Sequence, residues 1–209
     1  MLTQKQTFFT AAEAGALTRL SLKAVNNAID KRTITARMTK KRGSKAARLV
    51  SEPALVYLCL ERKLMEDTTP LFRRRLFEAI TVACGKGVTS VSLGPLTLDF
   101  RLSRREVTQR IKGLRRAERL VEVDGEVLGG VPVFRATRIP VHAVAELLSE
   151  GETPETLRKG YPRLTGEMVR LAPIYAGAHP LRGRPRKRPW RARAKKSTFR
   201  VPLGDTATP

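Results

Sequence analysis

The last 29 residues of this chain cannot build a core. Residues 181–209 carry 10 Lys and Arg against one Asp, and their few apolar side chains are scattered. Such a segment buries too little apolar surface to offset the chain entropy lost on folding. The fold must come from the residues before it, and the charge must answer to something else. Over the whole chain Lys and Arg outnumber Asp and Glu by 41 to 19, a net charge of +22. A surplus of that size points to a polyanionic partner, either nucleic acid or an acidic protein face. Solubility alone would be served by mixed charge of small net magnitude.

The charge is unevenly placed. Residues 1–50 have a net charge of +9, 51–123 of +5, 124–180 of −1 and 181–209 of +9. Two basic ends around a near-neutral block imply two polyanion contacts and a separate task for the block. The predicted fold class is mainly α with small β-hairpins. It has a DNA-binding segment over 1–65, a linking or oligomerising helix–hairpin–helix over 66–120, a compact three-helix block over 121–178, and a basic extended tail over 179–209.

Several function classes drop out early. Cys59 sits in the apolar run Ala54 to Leu60 and Cys84 ends another, so neither has metal-ligand or disulfide spacing. The polar N-terminus has no signal-peptide core, and no apolar run reaches the roughly 18–20 residues that span a bilayer. A cytoplasmic protein without membrane contact is expected. The two histidines, His142 and His179, read as a helix-start residue and a tail residue. No nucleophile–base pair, phosphate-binding loop or carboxylate cluster accompanies them, so a non-enzyme without cofactor or metal is expected.

Local signals organise the first 65 residues. Phe9, Thr10 and Glu13 fit a hydrophobic staple, an N-cap and a box-closing acid for a helix from Ala11 to about Ala16. A turn over Leu17 to Leu20 follows, and Ser21 caps a second helix to about Ile29. Ala12, Leu17, Leu20, Val25, Ala28 and Ile29 supply its apolar side, with Lys23, Asn26, Asn27 and Lys31 opposite. Two short helices, a tight turn and a polar second helix read as helix-turn-helix, and Ser, Asn and Lys are side chains that bond bases and phosphates. Residues Ile34 to Thr39 and Ala47 to Val50 read as strands around a cationic tip of Lys40, Lys41, Arg42 and Lys45. Ser51 then caps a helix to about Met65. This order resembles winged-helix heads of the MerR type. The expected DNA contacts are Ser21, Lys23, Asn26, Asn27 and Lys31 on the second helix and Lys40, Lys41, Arg42 and Lys45 on the wing.

The middle carries no visible chemistry. A helix to about Cys84, a hairpin around Gly94-Pro95, and a helix opened by a Ser103 to Glu106 capping box are expected. The basic face of that last helix, Arg104, Arg105, Lys112, Arg115 and Arg116, reads first as solvated and second as DNA-bound.

In the block, Asp124-Gly125 marks a hairpin turn and Pro140 starts a helix ending at Gly151. Thr153 caps a second helix and Thr165 a third. The run Gly129-Gly130-Val131-Pro132, then Thr137-Arg138-Ile139-Pro140-Val141, Gly151-Glu152-Thr153-Pro154 and Tyr161-Pro162-Arg163-Leu164-Thr165 closely resembles the small antitoxin family first catalogued as domain of unknown function 433. Ala136 stands where that family usually has Gly. With its head and tail, the chain looks like the long VapB-type antitoxins of type II toxin–antitoxin systems. The resemblance implies a PIN-type ribonuclease toxin as partner, operator DNA bound as an autorepressor, and a homodimer or larger toxin–antitoxin hetero-oligomer. Arg138 is expected to tie the hairpin to the helices.

The tail segment Arg182-Gly183-Arg184-Pro185-Arg186-Lys187 is similar to the AT-hook, whose arginines lie in the narrow minor groove of A·T-rich DNA. An extended arginine segment would equally fit the carboxylate-lined site of the toxin. In that case Arg182, Arg184, Arg186, Arg188, Arg191 and Arg193 would carry the charge and Trp190 the anchor. A nonspecific polybasic tail is the third reading. For the whole chain the alternative to an antitoxin is a stand-alone DNA-binding regulator or nucleoid-associated protein.

Overall fold

Thr10 starts the first helix, α1 (Ala11–Thr18), through a reciprocal cap. Its hydroxyl accepts from the Glu13 N–H at 3.3 Å, and the Glu13 carboxylate accepts from the Thr10 N–H at 2.6 Å. Two donors that a first helical turn leaves orphaned are thereby satisfied. The computed structural model describes residues 7–39, 47–64 and 68–181. α1 ends where Arg19 turns left-handed, at φ 58°. The Leu20 N–H then donates to the Gly15 carbonyl at 3.0 Å. Ser21 caps α2 (Leu22–Asp30), its hydroxyl accepting from the Ala24 N–H at 3.1 Å.

A three-stranded antiparallel sheet backs these helices. β3 (Ala47–Ser51) runs between β1 (Phe8–Thr10) and β2 (Ala36–Thr39), and Val50 stands opposite both Phe9 and Ala36. β1 is absent from the sequence reading because three residues are too few to show alternation. α3 (Glu52–Leu64) follows directly, and every residue from Ala54 to Leu60 is buried. A helix apolar on all sides belongs in the middle of a core, and α3 has elements packed around it.

α4 (Pro70–Gly85) opens with Thr69 as cap and Pro70 in its first turn. β4 (Ser90–Leu93) and β5 (Leu96–Asp99) form a hairpin turned by Gly94 at φ 62°. α5 (Arg101–Arg119) then begins two residues before the expected Ser103 cap. The Asp99 carboxylate accepts from the Arg101 N–H at 2.8 Å, so the helix starts as soon as the strand ends, and Ser103 is buried inside the first turn.

The remaining elements are short. β6 (Val121–Glu122) pairs with β7 (Val133–Phe134), and α6 (Val141–Ser149), α7 (Pro154–Gly160) and α8 (Gly166–Ala178) follow. Thr153 and Thr165 cap α7 and α8 through their hydroxyls, as their positions suggest. The protein is thus mostly helical with small antiparallel sheets. Among the described residues, buried side chains form two clusters. One contains Phe9, Leu17, Val50, Tyr57, Ile80 and Phe100 and spans both the first 65 residues and α4, β4 and α5. The other gathers Phe134, Val141, Leu157, Leu164 and Tyr175. α5 joins them, giving Val107, Ile111 and Leu114 to the first and Ala117 to the second. The two histidines meet at this junction. The His142 Nε2–H donates to the His179 carbonyl at 2.7 Å, and His179 Nε2 lies 3.0 Å from Glu118 of α5. Among the described residues no helix is long and apolar enough to cross a membrane.

Candidate nucleic-acid interface

α2 is held from behind and open in front. Val25 and Ala28 are buried, while Ser21, Lys23, Asn27 and Lys31 are exposed and Asn26 is half-buried. At about 100° per residue, Lys23, Asn26 and Asp30 share one outward arc. Asn27 and Lys31 turn toward one side, where they line a groove of about 320 Å³ with Glu61 and Arg73. Asn27 thus belongs both to the exposed side of α2 and to the groove lining, and Lys31 to the groove lining. Ser21 uses its oxygen lone pair in the cap, which leaves its hydroxyl hydrogen available to a ligand.

The turn before α2 is tight. A Cβ placed on Gly15 would come within 2.9 Å of the Leu20 carbonyl oxygen, so the backbone of α1 and the entry to α2 touch only because Gly15 has no side chain. Thr18, fully buried, donates its hydroxyl to the Ala14 carbonyl at 2.7 Å. These contacts fix the angle at which α2 is presented.

Sequence reasoning missed an acid on the presented face. Asp30 lies at the end of α2, and its carboxylate accepts from Arg48 Nη1 of β3 at 2.7 Å. The pair neutralises a charge that would otherwise repel a phosphate. No spacing rule connects residues 30 and 48, so only the return of β3 beside α2 reveals it. On β2, Arg37 sits over the Phe8 ring at 4.9 Å and Met38 is exposed. Lys40, Lys41, Arg42 and Lys45 lie outside the described residues, as do Arg182, Arg184, Arg186, Arg188, Trp190, Arg191 and Arg193.

The groove beside α2 holds a half-buried acid, Glu61. Burial pushes the Glu61 carboxyl above its ordinary range, while Arg73 at 3.8 Å, Tyr57 and Lys31 oppose the rise. Lys31 lines the same groove as Glu61.

α5 presents a second basic surface. Arg101, Arg105, Lys112, Arg116 and Arg119 are exposed and fall within roughly 60° of one another, opposite the buried Val107, Ile111 and Leu114. Of the expected face, Arg104 and Arg115 serve internal contacts instead. Arg104 donates to the Val88 carbonyl at 3.4 Å and Arg115 to the Thr7 hydroxyl at 3.2 Å. Arg116 pairs with Glu167 of α8 at 2.8 Å, and Arg105 and Lys112 remain outward.

In the C-terminal block the expected tie at Arg138 falls to its neighbours. Arg138 is exposed and takes part in none of the hydrogen bonds or ion pairs among the described residues. Arg135 Nε instead donates to the Arg119 carbonyl at 3.0 Å, and the Thr137 hydroxyl donates to the Phe134 carbonyl at 2.7 Å. The Thr137 oxygen in turn accepts from the Ile139 N–H at 3.1 Å. Arg138 alternates to the outside because Thr137 takes the inward position. Ala136 has φ 59°, the left-handed conformation that glycine adopts without strain.

Three Glu and His side chains approach one another at the junction of the two cores. Ligand-capable atoms of Glu13, Glu118 and His179 lie within 4.8 Å of each other. The Glu13 carboxylate already closes the α1 cap and Glu118 already faces His179, so each has a structural partner.

Comparison with known proteins adds the following. A family described as "Protein of unknown function (DUF433)" matches residues 121–176, the segment from β6 into α8. The uncharacterized protein y4eO of Sinorhizobium fredii is 29% identical over 184 residues, covering 84% of this chain and 83% of its own. The X-ray crystal structure of Rv2018 from Mycobacterium tuberculosis aligns with 78% of this chain and 96% of its own, at 16% identity and a TM-score of 0.34. A TM-score of that size has no bearing on fold or function.

Proposed function

We propose that this chain is an antitoxin of a type II toxin–antitoxin pair, which binds its own operator as an autorepressor and neutralises a PIN-type ribonuclease. The observation that carries the DNA-binding half is α2 itself. It offers Ser21, Lys23 and Asn27, and Asn26 in part, to solvent, on a helix angled by the tight Gly15–Leu20 turn, in a chain of net charge +22. We read residues 7–64 as a winged helix, with α2 entering the major groove and β2–β3 as the wing. Polar side chains of this kind read base edges, and the flanking cations hold phosphates.

The toxin-binding half rests on the resemblance of residues 121–178 to a small antitoxin family, to which the match over 121–176 adds. The near-neutral charge of residues 124–180 suits protein contact better than DNA contact. The test has two arms. Mobility shifts on DNA upstream of the chain's own gene are expected to show binding, with sequence preference lost in Asn26→Ala/Asn27→Ala. Co-purification with the product of the adjacent gene, and inhibition of its RNA cleavage, are expected in the second arm. DNA binding without a nuclease partner would make the chain a stand-alone regulator. Operator preference unchanged in the double variant would remove α2 as the reading element.

A further inference from the structure

The exposed side of α4 matches itself. Leu71, Arg75, Glu78 and Val82 are all exposed, and helical rotation sets them within roughly 60° of one another. The opposite side of the helix, Leu76, Phe77, Ile80 and Ala83, is buried in the first core. Leu71 is 59% and Val82 57% exposed, two large apolar residues open on one stripe. Between them stand one cation and one anion. Among the described residues neither Arg75 nor Glu78 has an ion pair of its own.

The order of these four residues has a symmetry. Leu71 and Val82 lie equally far from the helix point midway between Leu76 and Phe77, and so do Arg75 and Glu78. In a two-fold symmetric contact, a residue that meets a given partner position is itself met by its counterpart. An antiparallel pair of α4 helices about that midpoint would set Leu71 against the second copy's Val82 and Arg75 against the second copy's Glu78. The apolar contact and the charge pair would then each form twice. A groove of about 530 Å³ opens along the same face between α4 and β4, lined by Val82, Val88 and Val91 beside Arg75 and Glu78. It offers the second copy's Leu71 a place to enter.

We infer that α4 is the homodimer interface, and that its occupant is α4 of a second copy in antiparallel orientation. The charge order selects a second copy over an unrelated partner, because each unpaired side chain here is the complement of another on the same stripe. Apolar contact supplies attraction, and the Arg75–Glu78 pairs set direction and register. This inference goes beyond the proposed function and stands on α4 alone. Oligomeric state tests it without DNA or toxin, so its failure and the failure of that reading are distinguishable.

Sedimentation of the full chain between about 1 and 100 µM is expected to show a monomer–dimer equilibrium. Arg75→Glu alone, or Glu78→Arg alone, sets like charges opposite each other twice and should weaken dimerisation about tenfold or more. Arg75→Glu/Glu78→Arg restores opposite pairing and should bring the constant back to within about threefold of the starting value. Leu71→Cys/Val82→Cys gives a second readout. The two positions lie about 16 Å apart along one helix, too far for a disulfide within a chain. Oxidation should therefore link residue 71 of one copy to 82 of the other, identifiable by peptide mapping. A full chain that stays monomeric to about 100 µM overturns the inference. So does a double charge swap that dimerises no better than the singles, or the absence of the 71–82 link.

Discussion

Arg48 of β3 donates a 2.7 Å hydrogen bond to the Asp30 carboxylate at the end of α2. The contact joins the sheet to the helix read here as the DNA-reading element, and it leaves that helix without an unpaired acid on its open side. Both side chains are solvent-accessible, so their pairing contributes little to stability. Its weight is electrostatic and would fall on any phosphate bound at α2. Arg48→Ala is expected to expose the Asp30 charge and weaken DNA binding. Asp30→Asn is expected to tighten it, because Arg48 is released to the ligand. Titration at two salt concentrations would check both, and a Asp30→Asn variant that binds no better would place α2 away from the phosphates.

Gly15 tests the turn that aims α2. Ala at this position would drive its Cβ into the Leu20 carbonyl, a backbone atom that cannot swing away. A cost of about 1–3 kcal/mol is expected, typical of overpacking in a close contact. Urea denaturation would measure it. A smaller change would show that α1 and the α2 entry can separate freely.

At Ala136 the direction reverses. Its left-handed φ strains an L side chain, and Ala136→Gly should stabilise the protein by about 0.5–1 kcal/mol. The gain is the balance of strain removed and chain entropy lost. A lower thermal midpoint in the variant would contradict it.

Glu61 gives the pH dependence. Burial raises its carboxyl above the ordinary 4.5, so the folded state holds this proton more tightly than the unfolded chain does. The stability this contributes is present in full below the ordinary pKa and is lost as pH rises through the folded one. Glu61→Gln removes that titration. Between about pH 4.5 and 7 the urea midpoint of the variant should therefore fall less than that of the parent chain. Parallel curves would assign the effect to another group.

The tail separates two partners. If residues 181–193 fold onto the toxin, a chain ending at Pro180 should lose inhibition of RNA cleavage. A single Arg184→Ala should then weaken inhibition, since removing one buried interfacial charge costs about 2–5 kcal/mol. Should the tail instead lie in the minor groove, the shortened chain would lose DNA affinity and keep its inhibition. An RNA-cleavage assay beside a mobility shift distinguishes the outcomes.

Local chemistry made part of this legible in advance. Thr10, Ser21, Thr153 and Thr165 each cap the helix that follows, because a hydroxyl one position before a helix bonds an N–H three residues on whatever lies elsewhere. Gly94 turns its hairpin for the same kind of reason. Composition likewise places a net charge of +9 in residues 181–209. Contacts between distant residues obey no such short-range rule. The Asp30–Arg48 pair, the meeting of His142 with His179, and the passing of the hairpin tie from Arg138 to Arg135 and Thr137 each depend on how elements far apart in sequence come to lie together. The stripe on α4 belongs to both levels. Its spacing is written in residues 71–82, but only the burial of Leu76, Phe77 and Ile80 by the rest of the fold decides that Leu71, Arg75, Glu78 and Val82 are the side left open.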